Sequence, residues 1–186
     1  MRTVPENSAF PVTEVSKLLC IVIIFLLQPF SNVQAQQEAD YAVQANIIYH
    51  FTKYIDWPGN KKSGDFIIGV TGDTPLYDEL KKHVANKMVG RQKIVIKKFS
   101  SSTGPIDCHI LFISEDESSS LKKIVASTAG TSMLLVSEMD GLARKGSCIN
   151  FIIDDERLKL EINRNNIEKR NLGIASELLQ LGKIVK

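Results

Sequence analysis

The chain has 186 residues, 44% of them apolar and 24% charged, with 23 Lys and Arg against 21 Asp and Glu and a formal net charge of +2. These figures exclude a disordered chain, a collagen-like repeat and a polytopic membrane protein. A charge so close to neutral gives no general attraction to a polyanion, so no nucleic-acid partner is expected.

The leading segment differs from the rest. Residues 18–27 read LLCIVIIFLL, too short for a bilayer core that needs about 20 apolar residues. Arg2 and Lys17 precede this run, Gln28-Pro29 follows it, and Val33-Gln34-Ala35 puts small residues where a signal peptidase reads. Residues 1–35 are therefore expected to be a signal peptide cleaved after Ala35, with an uncleaved anchor or a buried helix as the alternatives. A lipoprotein pattern fails, because Cys20 lies inside the apolar run and not after it. Residues 36–186 are then a single exported domain, in an oxidising compartment that permits disulfides. Cys108 and Cys148 are the two cysteines left to use it, and whether they pair stays open at this point.

From Asp40, a good N-cap residue, apolar side chains at Val43, Ile47, Ile48, Phe51, Tyr54 and Ile55 follow a helical spacing that stops at Trp57-Pro58-Gly59. Residues 66–70 form a continuous apolar run of the kind buried on both faces of a sheet. Thr71-Gly72-Asp73-Thr74-Pro75 follows as a turn, with Asp73 or Thr74 capping a helix that opens at Pro75 and runs to about Asn86. Strands are predicted at 94–96, 110–113 and 133–136, with a helix near 121–126 between the last two. Strands and helices alternating at this spacing indicate βαβ units and a mostly parallel, helix-covered α/β sheet.

The C-terminal third reads differently. Strands at 149–153 and 158–162 are separated by Asp154-Asp155-Glu156-Arg157, short enough for a β-hairpin. In the second strand Leu158, Leu160 and Ile162 alternate with Lys159, Glu161 and Asn163, which assigns the second set to a wet face. Asn165 with Glu168 has capping-box spacing, Gly173 is a helix stop, and a final helix carrying Ile174, Leu178 and Leu181 docks on the sheet.

Few residues offer chemistry. The turn at Gly72, Asp73 and Thr74 is the candidate small-ligand site, because open α/β sheets bind ligands beyond the carboxyl ends of their strands. It matches neither G-x-G-x-x-G nor a phosphate loop. Of the three histidines only His83 has a potential ligand at helical spacing, Glu79, which reads as a surface pair; no metal and no cofactor are expected. Cys108 beside His109 cannot serve as nucleophile and base, since successive strand residues face opposite ways. Glu115-Asp116-Glu117 reads as a solvated acidic loop. Trp57 with Phe51 and Tyr54 reads as packing against the sheet, or as an aromatic contact for a partner or ligand.

Several motifs in order carry a resemblance. They are Phe51 to Ile55-Asp56-Trp57-Pro58, the strand-turn from Ile67 to Pro75, Gly90-Arg91, Cys108-His109-Ile110-Leu111-Phe112-Ile113, Val136-Ser137-Glu138 with Gly141, Leu160-Glu161-Ile162-Asn163 and Leu178-Leu179-Gln180-Leu181. Together they resemble the YfiR family of small exported proteins. The resemblance implies a periplasmic regulator without catalytic activity, a three-layer α/β/α sandwich and a tendency to form homodimers. It further implies control of an inner-membrane diguanylate cyclase, held inactive through its periplasmic sensor region, with effects on cyclic di-GMP and biofilm. By the same resemblance Glu161 and Ile167 are the expected partner-binding residues. In the best-known member of that family a first-strand cysteine bridges to the Cys108 position; this chain has Gly69 there, so that bridge cannot form. The alternative function is a periplasmic small-molecule sensor serving a membrane kinase or transporter through the Gly72 turn.

Overall fold

The computed structural model describes residues 31–100 and 104–186. The apolar run at 18–27, with Cys20, lies outside the described residues, and the main compact unit is Glu38–Lys186. In chain order come helix α1 (Ser31–Tyr54), strands β1 (Ile55–Asp56) and β2 (Phe66–Thr71), helix α2 (Leu76–Val84) and strands β3 (Met88–Val89), β4 (Gln92–Phe99) and β5 (Ile110–Ile113). Helix α3 (Leu121–Ser127), strand β6 (Leu134–Ser137), helix α4 (Leu142–Lys145) and the hairpin strands β7 (Ile149–Asp154) and β8 (Arg157–Ile162) follow. The chain closes with helix α5 (Arg164–Glu168), strand β9 (Gly173–Ile174), helix α6 (Ser176–Gln180) and strand β10 (Lys183–Ile184).

Eight strands form one sheet in the order β10-β8-β7-β6-β5-β2-β4-β3, while β1 and β9 make a separate two-stranded ribbon. The pairings β4-β2, β2-β5, β5-β6 and β6-β7 are parallel, and β7-β8 is antiparallel. This is the mostly parallel α/β sheet with a C-terminal hairpin that the alternation predicts. Ile68 and Val70 of β2, the whole of β5, and Leu134, Leu135 and Val136 of β6 are fully buried. Burying one such aliphatic side chain stabilises by about 1.5–3 kcal/mol, and strands covered on both faces need that along their whole length.

Cross-strand register separates the two helical layers. Phe151 pairs with Leu160 and Asn150 with Glu161, so these adjacent pairs point to opposite faces. Phe51 of α1 stacks on Phe151 at 6.3 Å, and Tyr49 of α1 meets His83 of α2 at 5.8 Å, placing both helices on the Phe151 face. Arg144 of α4 reaches Glu161 from the other side. Gly146 brings α4 against Val125 of α3: its φ is +129° and a Cβ there would lie 2.8 Å from Val125 Cγ2.

Several local expectations change. Helix α1 starts before Asp40, since nothing from Ser31 to Glu38 breaks a helix. It stops at Tyr54, because Ile55 and Asp56 pair with Ile174 and Gly173. Gly173 is thus a strand residue and not a helix stop. The cap of α5 is Asn163, whose side chain accepts the Asn166 N–H at 3.1 Å, in place of Asn165. Leu181 is 65% exposed, because the chain turns there into β10, a strand too short to read from the sequence. Glu79 bonds Lys82 at 2.7 Å and not His83.

Trp57 is buried in the core, edge-on to Phe66 at 5.0 Å, and its Nε1–H donates to the His109 carbonyl at 3.3 Å. His109 is itself buried, with Nδ1 accepting the Ile67 N–H at 3.0 Å and Nε2 2.8 Å from the Lys61 carbonyl. Those two bonds define a neutral imidazole protonated at Nε2. Burial holds its pKa, and that of His83, below 6.5. The unfolded chain protonates at these positions first, so their contribution is present above pH 6.5 and is lost as pH falls below it. Between about pH 7.5 and about pH 5, the urea midpoint of the parent protein is expected to fall further than that of His109→Gln. Equal falls would remove His109 as a source of acid sensitivity.

Candidate functional site

Three regions collect polar side chains: the crevice where the sheet reverses its winding, a polar seam under α4, and a cleft at the opposite end of the sheet. From β2 the chain crosses to β4 on one side and then to β5 on the other, so the topological switch point lies between β2 and β5. The Gly72-Asp73-Thr74 turn sits there, where such sheets bind ligands. In this protein the crevice is filled from within. The Asp116 carboxylate accepts the Asp73 N–H at 3.0 Å, and the Ser114 hydroxyl lies against both Asp116 Oδ1 and, at 2.7 Å, the Thr71 carbonyl, with one proton to share between them. A side chain at Gly72, whose φ is +80°, would collide with Ser114 and Asp116. These bonds hold the Asp116 carboxyl below its usual range. The acidic run at 115–117 is therefore no free loop, since one of its carboxylates occupies the anion position that the turn offers.

The seam runs across the face that α4 covers. Register sets Ser137 beside Asn150, Asn150 beside Glu161, and Glu161 beside Lys183. The Ser137 hydroxyl lies 2.6 Å from Asn150 Oδ1 and 2.8 Å from Ser147 Oγ. Glu161 is only 5% exposed, which overturns its assignment to a wet face. The alternation holds as far as Lys159; beyond it, α4 and α5 cover the second face, and Asn163 is buried too. Arg144 Nη1 lies 3.3 Å from Glu161 Oε1, while Glu161 Oε2 and Asn150 Nδ2 have no partner among the described residues. Asn163 and Asn166 both donate to the Ala143 carbonyl, at 2.9 and 3.0 Å, and clasp the end of β8 to α4. Ile167, on the inner face of α5 itself, is completely buried and presents no surface. Sequence reasoning misses Arg144, because α4 is a four-residue helix with no periodicity to detect, and also Asn150 and Asn166; it reads Asn163 as a wet-face residue.

The cysteines do not meet. Cys108 and Cys148 are both buried and free. Strand β6 separates β5 from β7, so the two cysteine backbones lie roughly 10 Å apart sideways. Cys148 donates its N–H to Leu135, the partner of Leu111, which moves it three residues further along the sheet. A disulfide needs Cα atoms within about 7 Å, so this register excludes the pairing left open above. Burial pushes the thiols up to about 12 for Cys108 and about 11 for Cys148.

At the end of the sheet opposite the switch point, a cleft of about 650 Å³ opens between the β1-β9 ribbon and the starts of β2 and β4. Trp57 and Phe66 lie at its base, and among the described residues Lys53, Lys62 and Arg91 line it with a single acidic residue, Asp56. Lys62 bonds Asp56 at 2.7 Å. Nothing in the residue spacing predicts this cleft, because its walls come from five distant segments. Among the described residues, no three or more His, Cys, Asp or Glu side chains are arranged to hold a metal ion.

These features define a three-layer α/β domain whose switch point is plugged and whose buried polar groups act as internal clasps. Residues 41–183 match the YfiR/HmsC-like family, and the chain belongs to that family. It is a family of regulators of diguanylate cyclases. No curated protein matches the chain.

Removing Arg144 leaves the buried Glu161 carboxylate without its guanidinium, although Arg144 itself is half-exposed. Arg144→Met is therefore expected to cost about 2 kcal/mol, the level of a hydrogen bond to a charged group, and Glu161→Gln, which leaves a neutral amide, about 1 kcal/mol. Urea unfolding reads both values; equal losses would mean that packing, and not the buried charge, dominates here.

Proposed function

We propose that this protein is a periplasmic, non-catalytic regulator that binds the periplasmic sensor region of an inner-membrane diguanylate cyclase and holds it in an inactive state. The observation that carries the reading is the family match over 41–183, which covers nearly all of the compact unit Glu38–Lys186. Export rests on the sequence of residues 1–35 and on cleavage after Ala35. A regulator of this kind works by differential affinity for one state of its partner. Glu161 and Ile167 then influence control from inside the domain, by holding α4 and α5 in place, and not as contact residues. Deleting the gene is expected to raise cyclic di-GMP and biofilm, with both restored by the intact chain. An unchanged cyclic di-GMP level would overturn the proposal.

A second reading, a small-molecule sensor serving a membrane kinase or transporter, is favoured by the cleft beside the β1-β9 ribbon. Three cations around an aromatic base suit an anionic or aromatic metabolite. This moves the candidate ligand site away from Gly72, Asp73 and Thr74, where Asp116 already sits. A metabolite of that type is expected to raise the melting temperature by an amount that grows with its concentration, and Arg91→Ala to reduce the rise. A rise unaffected by Arg91→Ala would exclude the cleft.

A further inference from the structure

We infer that the outer face of α3 and α4 is a docking groove for an acidic, partly apolar segment of the membrane partner; this rests on the regulator reading above. The two helices carry Lys122, Lys123, Arg144 and Lys145 and not one carboxylate. All four cations are exposed. Arg144 is held by the buried Glu161, and the three lysines make no ion pair among the described residues. Between the helices runs a groove of about 390 Å³ with Leu121, Met139 and Leu142 along it and Lys122 and Lys145 on its rims. Among the described residues no carboxylate lines it.

The groove is built and held from below. Gly146 permits the close approach of α4 to Val125 of α3, which sets its width. Arg144 and the Ala143 carbonyl tie α4 to Glu161, Asn163 and Asn166. Met139 is 42% exposed, and its flexible thioether adapts to an incoming side chain. Free cations beside a recessed apolar strip complement a carboxylate next to an apolar side chain, and such charge pairing sets specificity and association rate. A second copy fits poorly, because a two-fold contact would set this lysine-rich face against itself. A bilayer fits poorly as well, since the apolar strip lies recessed between the lysines, where a flat surface does not reach.

The test uses the full chain expressed in its native cell with benzoylphenylalanine in place of Lys122, Lys145 or, as control, the exposed Lys93 on β4, beside the edge strand β3. After irradiation, cross-linked products are identified by mass spectrometry. Adducts with the membrane cyclase are expected from positions 122 and 145 and not from 93. Lys122→Glu/Lys145→Glu is expected to lower co-purification of the cyclase about tenfold, with Lys93→Glu unchanged and all melting temperatures preserved. Cyclase adducts from position 93 alone would overturn the groove and leave the regulator reading intact. Adducts from 122 and 145 with a membrane protein of another class would keep the groove and overturn the cyclase assignment. Phospholipid adducts, self-adducts, or no protein adduct from either groove position would overturn the groove; the effect of gene deletion on cyclic di-GMP judges the regulator reading separately.

Discussion

The pairing of β8 with β7 is the constraint from which the rest of the C-terminal half follows. Side chains along a strand alternate between faces, so a slip of one residue would exchange every inward group for its neighbour. The observed register, Asp154 opposite Arg157 through to Ile149 opposite Ile162, sends Phe151 and Leu160 to α1 and sends Asn150 and Glu161 to α4. It is enforced by a two-residue turn in which Asp155 and Glu156 both have positive φ, +51° and +58°. That conformation matches the twist of paired strands; Asp155 is of a type that adopts it readily, and Glu156 takes it at a cost.

One consequence is a carboxylate in the interior. Among the described residues, Glu161 is removed from water with a single half-exposed ionic partner, an arrangement that contributes little net stability and is sensitive to disturbance. It makes the position of α4 depend on residues at the end of β8, through Arg144 and through the two asparagines that hold the Ala143 carbonyl. A buried residue in such a place governs an exposed surface without forming part of it.

The two ends of the sheet have been put to different uses. The switch point, the usual ligand crevice of an open α/β sheet, is closed by Ser114 and Asp116, whose carboxylate takes the backbone N–H that an anion would otherwise receive. The opposite end is open, because the β1-β9 ribbon stands away from the sheet and leaves a basic cleft between them. His109 and Gln92 hold the connection into β2 against this cleft: Gln92 Nε2 donates to the Lys61 and Ser63 carbonyls, at 3.0 and 3.2 Å.

Much of this was legible in the amino-acid order. The apolar runs of β2, β5 and β6, the helix that ends near Trp57, the alternation that makes the sheet parallel and the hairpin at 154–157 all follow from local periodicity and turn chemistry, which depend on neighbours in the chain. The ordered motifs also pointed to the YfiR/HmsC-like family. What the sequence could not decide was whatever depends on distant neighbours. Period-two alternation marked Glu161 as wet, and only the packing of α4 and α5 buried it. Two cysteines in an oxidising compartment left a bridge open, and only the strand order, with β6 between them, excluded it. The Gly72 turn had the position of a ligand site, and only the fold brought Asp116 into it. Local spacing determines which face of an element is apolar; what lies against the other face is set by segments far away in the chain, and this protein's candidate sites are all of that second kind.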